Sequence, residues 1–377
     1  MPMTSTVGHV VVFVQENHTT DNYFRSMRAW GANIATDWPV QPNPPLTDHP
    51  HTRAAYAKWL HAQQTGAPTP AVHAQFDTTA VLPYYAYLAA TGAFVENHCS
   101  GFGTNSTANH LLIVGGQSPT LRNPPRNQPQ PVWDMPSILG HAEDHGLTWK
   151  AYTGTSSYPV AFYQQLNGST NIVGSDEIVA DAGHLPALSM VWHDSPYDEH
   201  PVADVTLGHN KIWQAVDAIA TAGGWEDTVF LLTWDDWGGF DDHVITPDLE
   251  HTPDGVQLAY GPRVPLLMFG GRVQPGIDSR WNSHVSIGKT VLELLGLPPL
   301  GVTRLDQAPT LVDLINSHPS SPAPPPFGTT ITQPRPPQPT PTPNPTPPPP
   351  ANTSTPVGPV ILRDGSTLPP PNDQPVR

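Results

Sequence analysis

Residues 228–243 read Thr228-Val229-Phe230-Leu231-Leu232-Thr233-Trp234-Asp235-Asp236-Trp237-Gly238-Gly239-Phe240-Asp241-Asp242-His243. The opening run, with Val229-Phe230-Leu231-Leu232 at its centre, has the unbroken apolar character of a strand buried on both faces. It ends in two adjacent aspartates. Neighbouring carboxylates at a strand end raise each other's pKa, a cost that a divalent cation between them removes. Gly238-Gly239 lets the chain turn sharply or approach a ligand closely. His243 is a ligand or an acid–base candidate. Two tryptophans and a phenylalanine interleaved with four aspartates speak against a merely solvated acidic turn.

A second run of the same kind, Val10–Val14, leads into Gln15-Glu16-Asn17-His18. A buried parallel strand ending this way aims a carboxylate and an amide at the carboxyl edge of a sheet, where open α/β sheets bind ligands. Arg263–Gly270 reads as a third strand. Helical patterns alternate with the strands: Asp134–His145 before Gly146, Lys211–Thr221 before Gly223-Gly224, and a helix capped by Ser283 that runs to Leu294. Strands alternating with helices imply an α/β fold with a mainly parallel sheet covered on both faces.

The chain has 377 residues, 49 of them proline, and 22 of those prolines fall in residues 319–377. Residues 1–316 are expected to form one α/β domain. Within it, residues 36–80, with one helix around Thr52–Gln64, are expected to cross the active-site edge, because long loops in compact domains are usually functional or disordered. Residues 317–377 are expected to be a disordered, polyproline-rich tail. Residues 1–318 carry 13 basic and 30 acidic side chains. Such an acidic body argues against a nucleic-acid backbone binder and against docking on an anionic membrane by charge alone. No apolar run approaches the roughly 18 residues of a transmembrane segment. The single cysteine, Cys99, excludes an intrachain disulfide. No leader-like basic and apolar segment opens this numbering, so localisation stays undetermined.

A third chemical motif is Gly101-Phe102-Gly103-Thr104-Asn105-Ser106-Thr107-Ala108-Asn109-His110, followed by Leu111-Leu112-Ile113-Val114. A hydroxyl at the start of that helix would meet free N–H groups that stabilise an alkoxide and an attached phosphate. Three hydroxyls, Thr104, Ser106 and Thr107, compete for the role, and an ordinary helix cap explains any of them equally. Eighteen histidines outnumber the 16 lysines and arginines. Some lie in pairs with acids or prolines, as in Asp48-His49-Pro50-His51 and Glu199-His200-Pro201, but none has the HExxH spacing of a zinc protease helix.

Taken in order, these motifs resemble one family. Gln-Glu-Asn, Ser-x-Ala-Asn-His, Glu-His-Pro, Thr-Trp-Asp-Asp-Trp-Gly-Gly-Phe-x-Asp-His-Val, Arg-Val-Pro and Ser-His-x-Ser-Ile are similar to the bacterial phosphoesterases. That family holds phospholipase C-like and acid phosphatase-like enzymes and belongs to the alkaline phosphatase superfamily. The resemblance spans residues 8–300. It implies an alkaline phosphatase-like three-layer sandwich and hydrolysis of phosphate esters through a phospho-enzyme. It implies Glu16, Asn17, Ser106, Asp235 and Asp236 as ligands of a divalent metal ion, and Ser106 as nucleophile, with Ala108 where the family usually has proline. His200 and His243 match its active-site histidines, and His49, His51 and His73 are further candidates. Arg263 reads as a structural residue before a strand. The oxygen-rich set suits Ca²⁺, Mg²⁺ or Mn²⁺, with Zn²⁺ open if histidines join. The substrate is a phospholipid or a small ester. Eleven tryptophans would tolerate a choline head group through cation–π contacts. The alternatives are a sulfatase or phosphotransferase on the same scaffold, or a catalytically idle surface or binding protein. Members of the family are often exported.

Overall fold

The structure, a computed structural model, describes residues 7–125, 127–247 and 260–336, together with the backbone of short strands at 250–251, 257–258, 360–361 and 367–368. Its centre is an eight-stranded sheet. In chain order the strands are β1 (His9–Gln15), β2 (Ala93–Val95), β3 (Trp149–Thr153), β4 (Ile172–Gly174), β5 (Leu188–Trp192), β6 (Thr228–Trp234), β7 (Leu266–Phe269) and β8 (Gly276–Asp278). Across the sheet they run β8-β2-β7-β6-β1-β5-β3-β4. All pairings are parallel except those of β7, which runs antiparallel to both β6 and β2.

The longer helices are α1 (Arg53–Thr65), α2 (Pro83–Thr91), α3 (Ser106–Gly115), α4 (Ile138–Asp144), α5 (Val205–Thr221) and α6 (His284–Leu294). They form the two outer layers. Side chains alternate across a strand, so each face of the sheet buries its own set. Val10, Val12 and Val14 of β1 pack with Leu112 of α3, Leu139 of α4 and Val291 of α6. Val11 and Phe13 face the other way, into a cluster with Tyr85 of α2 and Val216 of α5.

Local chemistry sets most helix ends. Thr52 caps α1 by accepting from the Ala55 amide, and Ser283 opens α6 with a reciprocal capping box to Ser286. Two helices differ from the sequence expectation. Asp134 does not start α4, because Pro136 intervenes; the cap is Ser137, which accepts from Gly140 N. Helix α5 begins at Val205, earlier than Lys211, because Asp204 caps it through Thr206 N.

The packed body extends past residue 316. Trp225 Nε1 donates to Ser321 O, Trp213 Nε1 donates to Pro325 O, and the ring of Phe327 meets that of Trp213 at 5.2 Å. Gln333 Nε2 donates to Pro83 O at the start of α2. The expected tail boundary at 317 therefore moves to beyond residue 333: Ser321 and Pro325 supply carbonyls to buried indole N–H groups that need acceptors. Most of the remaining proline-rich stretch lies outside the described residues.

Removing residues 317–377 uncovers Trp213 and Trp225 and deletes both indole hydrogen bonds. At about 1 kcal/mol per hydrogen bond plus the lost apolar burial, stability should fall by about 2–4 kcal/mol. Urea unfolding followed by tryptophan fluorescence measures it. An unchanged midpoint would show that the segment contributes nothing.

Candidate active site

Strands β1 and β6 are neighbours in register, with Gln15 beside Trp234. Glu16 and Asn17 therefore leave the sheet next to Asp235 and Asp236. The backbone stitches the two exits together: Asp235 N donates to Gln15 O at 3.0 Å, and Asn17 N donates to Asp235 Oδ1 at 2.8 Å. Asn17 adopts φ +61°, which asparagine tolerates better than most residues. Gly238 packs on it so closely that an added Cβ would lie 2.6 Å from Asn17 O.

Helix α3 aims its first turn at these carboxylates. Ser106 Oγ lies 3.2 Å from Glu16 Oε2 and 3.4 Å from Asp236 Oδ2. The two competing hydroxyls are engaged elsewhere. Thr104 Oγ1 donates to Leu121 O, and Thr107 Oγ1 accepts from Tyr158. Asn109 fixes the loop before the helix by accepting from Phe102 N and donating to Phe102 O. One turn after Ser106, His110 places Nε2 3.0 Å from Glu16 Oε1 and 3.5 Å from Asp235 Oδ2. Trp192 Nε1 donates to His110 Nδ1, which puts the proton of the neutral ring on Nε2, toward Glu16.

Charge dominates this centre. Burial opposes ionisation of Glu16, but the hydrogen bonds from His110 and Ser106 and the charge of His200 hold its pKa down to about 2. Burial and the charge of Glu16 push Asp235 up; burial and the charge of Asp235 push Asp236 well up. Two buried oxygens, Asn17 Oδ1 and Asp235 Oδ2, receive no hydrogen bond among the described residues. Oxygen donors left unsatisfied among repelling carboxylates fit a hard divalent cation.

The remaining histidines divide between this centre and its surroundings. His200 is half-buried, and its Nδ1 donates to Pro201 O, which leaves Nε2 as the second ring nitrogen. Burial lowers its pKa, but the charge of Glu16, the hydrogen bond to Pro201 O and the charges of Asp48 and Asp235 together outweigh that, and the net direction is upward. Residues 36–80 reach the same edge. His51 lies beside Asp48 and meets the His200 ring at 5.9 Å. The loop after β6 is gripped from this segment by Trp59, whose Nε1 donates to Asp241 Oδ1, and holds the segment in return through its own Trp237, whose Nε1 donates to His51 O. His73 pairs with Asp241, and His49 packs on Phe240.

His243 is not brought to Ser106. The loop turns through Gly238 and Gly239 and carries residues 241–243 toward Asp21. His243 Nδ1 lies 2.6 Å from Asp21 Oδ2, in a second acidic cluster with Asp242. That cluster has its own cation. Arg263, wholly buried, donates through Nε to Asp242 Oδ1 at 2.8 Å and through Nη2 to Asp21 Oδ1 at 3.3 Å. Sequence reasoning gave no role to His110, Asp198 or Glu199. The four-residue step from Ser106 to His110, which places both on one helix face, was the available signal for the first.

Arg263→Met should test that ion cluster. Removing one partner of a buried pair strands the other charges, which costs about 3–5 kcal/mol. The variant should unfold at a markedly lower denaturant concentration, and Asp242→Asn in the same background should restore part of the loss.

The chain is 29% identical to non-specific phospholipase C6 of Arabidopsis thaliana over 170 residues, which cover 38% of this chain and 32% of that protein. It is 24% identical to phospholipase C B of Mycobacterium tuberculosis (strain H37Rv) over 328 residues, covering 73% and 63% respectively. The chain thus spans less than half of the plant relatives, reaching 42% of the length of phospholipase C5. Among solved structures, a protein in the alkaline phosphatase superfamily from Vibrio parahaemolyticus aligns with a TM-score of 0.44 at 14% identity, covering 80% of this chain and 70% of that one. The profile of the Phosphoesterase family matches residues 46–298. That match takes in more than half of the chain, including the helix of Ser106 and both aspartates after β6, and the chain belongs to the Phosphoesterase family.

Proposed function

We propose that this protein hydrolyses phosphate esters with Ser106 as nucleophile and a divalent cation held by Glu16, Asn17, Ser106, Asp235 and Asp236. One observation carries the reading: a serine hydroxyl at a helix N-terminus sits within 3.5 Å of two carboxylates, the half-buried Glu16 and the buried Asp236, and among the described residues no arginine or lysine pairs with either to relieve their repulsion. The second acidic cluster shows the contrast, because Arg263 neutralises it. A bound ion would lower the pKa of the serine hydroxyl and screen the phosphoryl oxygens.

The residues of the chain supply the rest. Ser106 Oγ passes its proton to one of the carboxylates it faces, Glu16 or Asp236, attacks phosphorus in line and forms a P–O bond as the ester oxygen leaves; the proton returns to Ser106 when water cleaves the phosphoserine. The N-terminus of α3 favours the negative charge gathered there. His200 gives a proton to the departing oxygen, and then takes one from the water that cleaves the phosphoserine. His110 keeps Glu16 oriented through Nε2. The relatives are named as phospholipases C, which favours a lipid phosphodiester over a small monoester as substrate. In this reading every proposed catalytic residue falls within residues 1–316, part of a packed body that runs on to residue 333, and residues 36–80 border its substrate edge.

Hydrolysis of p-nitrophenylphosphorylcholine and of p-nitrophenyl phosphate tests the proposal. EDTA should abolish turnover, and Ser106→Ala should lower kcat by at least about 1,000-fold, as loss of a nucleophile does elsewhere. Turnover of the monoester alone would replace the phospholipase reading with a phosphatase. Full activity of Ser106→Ala would overturn the nucleophile assignment.

Ion binding has a separate readout. Mn²⁺, Mg²⁺ or Ca²⁺ at 100 times its dissociation constant should stabilise the fold by about 2.7 kcal/mol. Thermal melts with and without each ion measure this. Asp236→Asn should remove the ion-dependent part while relieving like-charge repulsion in the ion-free protein.

A further inference from the structure

We propose that Glu199 is a positioning residue that holds His200 against the acidic centre. The inference rests on the role given to His200 above. Glu199 immediately precedes it, in the loop that follows β5, and its side chain is wholly buried. A carboxylate offers about four lone-pair positions, and here four donors take them. Oε1 accepts from Gln15 Nε2 at 2.9 Å and from the Tyr85 hydroxyl at 2.6 Å. Oε2 accepts from the Tyr23 hydroxyl at 2.8 Å and from Trp234 Nε1 at 3.0 Å. Gln15 and Trp234 are the last residues of β1 and β6, each directly before a proposed metal ligand.

The backbone around Glu199 is tied to the same place. Its φ is +68°, and its carbonyl lies 3.1 Å from His18 Nε2. On one side, Asp198 O accepts from Glu16 N at 2.8 Å. On the other, His200 N donates to Asp198 Oδ1 at 3.1 Å. Gly208 of α5 makes room for this arrangement, since a Cβ there would lie 2.5 Å from Glu199 Cγ. Residues 198–200 are thus fixed to the two strand ends that carry Glu16 and Asp235. A buried carboxylate without a cation among its partners is a poor device for stability, but a fully satisfied polar network selects one conformation. Glutamine at this position would turn an amide N–H toward one of the four donors. The pivot would then loosen, and His200 with it.

The test compares wild type, Glu199→Gln, His200→Ala and the double variant. Each acts on an aryl ester and on an alkyl ester of the class the enzyme turns over. Proton donation matters most for the alkyl ester, whose leaving oxygen is the stronger base. Glu199→Gln should lose about 10–100-fold in kcat on the alkyl ester, the usual cost of removing an outer-shell support, and no more than about threefold on the aryl ester. KM should be unchanged. The double variant should be no worse than His200→Ala. Equal losses on both esters, or additive losses in the double variant, would overturn the proposal. An impaired His200→Ala beside an unimpaired Glu199→Gln would sink it alone, whereas a fully active His200→Ala would sink the reading of His200 and the proposal together. If Glu199→Gln folds poorly, Tyr85→Phe, which deletes one of the four donors, should show the same ester-selective loss at smaller size.

Discussion

Repulsion among the buried carboxylates at the exits of β1 and β6 is the constraint around which the rest is arranged. Five acids, Glu16, Asp21, Asp235, Asp236 and Asp242, are concentrated where two parallel strands end side by side. Left in a low-dielectric interior, such a group would protonate or unfold the region. The chain resolves the problem twice and differently. Asp21 and Asp242 receive a permanent cation, Arg263, bound through three of its nitrogens to carboxylates and backbone carbonyls. Glu16, Asp235 and Asp236 receive only the partial charge of two histidines and the hydroxyl of Ser106. The first solution is closed and structural. The second has no such permanent cation, which is why an exchangeable ion is proposed there.

The sheet makes this arrangement rigid. Side chains on strand ends inherit the precision of the ladder, and the register Gln15–Trp234 sets the spacing of the two acidic pairs. Helix α3 is packed along its whole length between the sheet and α6, so the position of Ser106 follows from the burial of Leu111, Leu112 and Ile113 behind it. A hydroxyl held between carboxylates is expensive to maintain on a loop and inexpensive on a buried helix, because the helix is ordered by apolar contacts that have no other function.

Legibility in the sequence followed from how local each signal is. Strands β1 and β6 were readable because burial on both faces demands unbroken apolar runs, and the Ser283 and Thr52 caps because capping is a matter of a few residues. Glu16, Asn17, Asp235 and Asp236 stand directly after those strands, so their meeting could be anticipated. His110 needed the phase of α3 relative to the sheet. Glu199 needed contacts with residues as far away as Gln15, 184 positions earlier. His243 was matched to the catalytic set through the Asp-His-Val segment, and its ring meets Asp21 and Asn33, contacts that a local motif does not show. The proline count placed a boundary at 317 because composition registers what a segment cannot bury by itself. It does not register that tryptophans elsewhere, Trp213 and Trp225, need carbonyl acceptors.

Division of labour between rigid and adaptable parts follows from the same geometry. Ser106, His110 and the acids stand on regular structure or directly at its ends, whereas Asp48 and His51 come from the long segment 36–80, and His200 from a loop. In the proposed reaction the first group would handle the phosphoryl centre, which is common to all phosphate esters. The second borders it from the side where the rest of a substrate must lie. Anchoring of the 36–80 segment by Trp59 and Trp237 to the loop of Asp241 lets its tip vary without moving the acids. His200 belongs to neither group fully: it sits in a loop, yet Glu199 ties that loop to β1 and β6. The loop that carries the proposed proton donor is therefore one that the interior holds by four hydrogen bonds to Glu199.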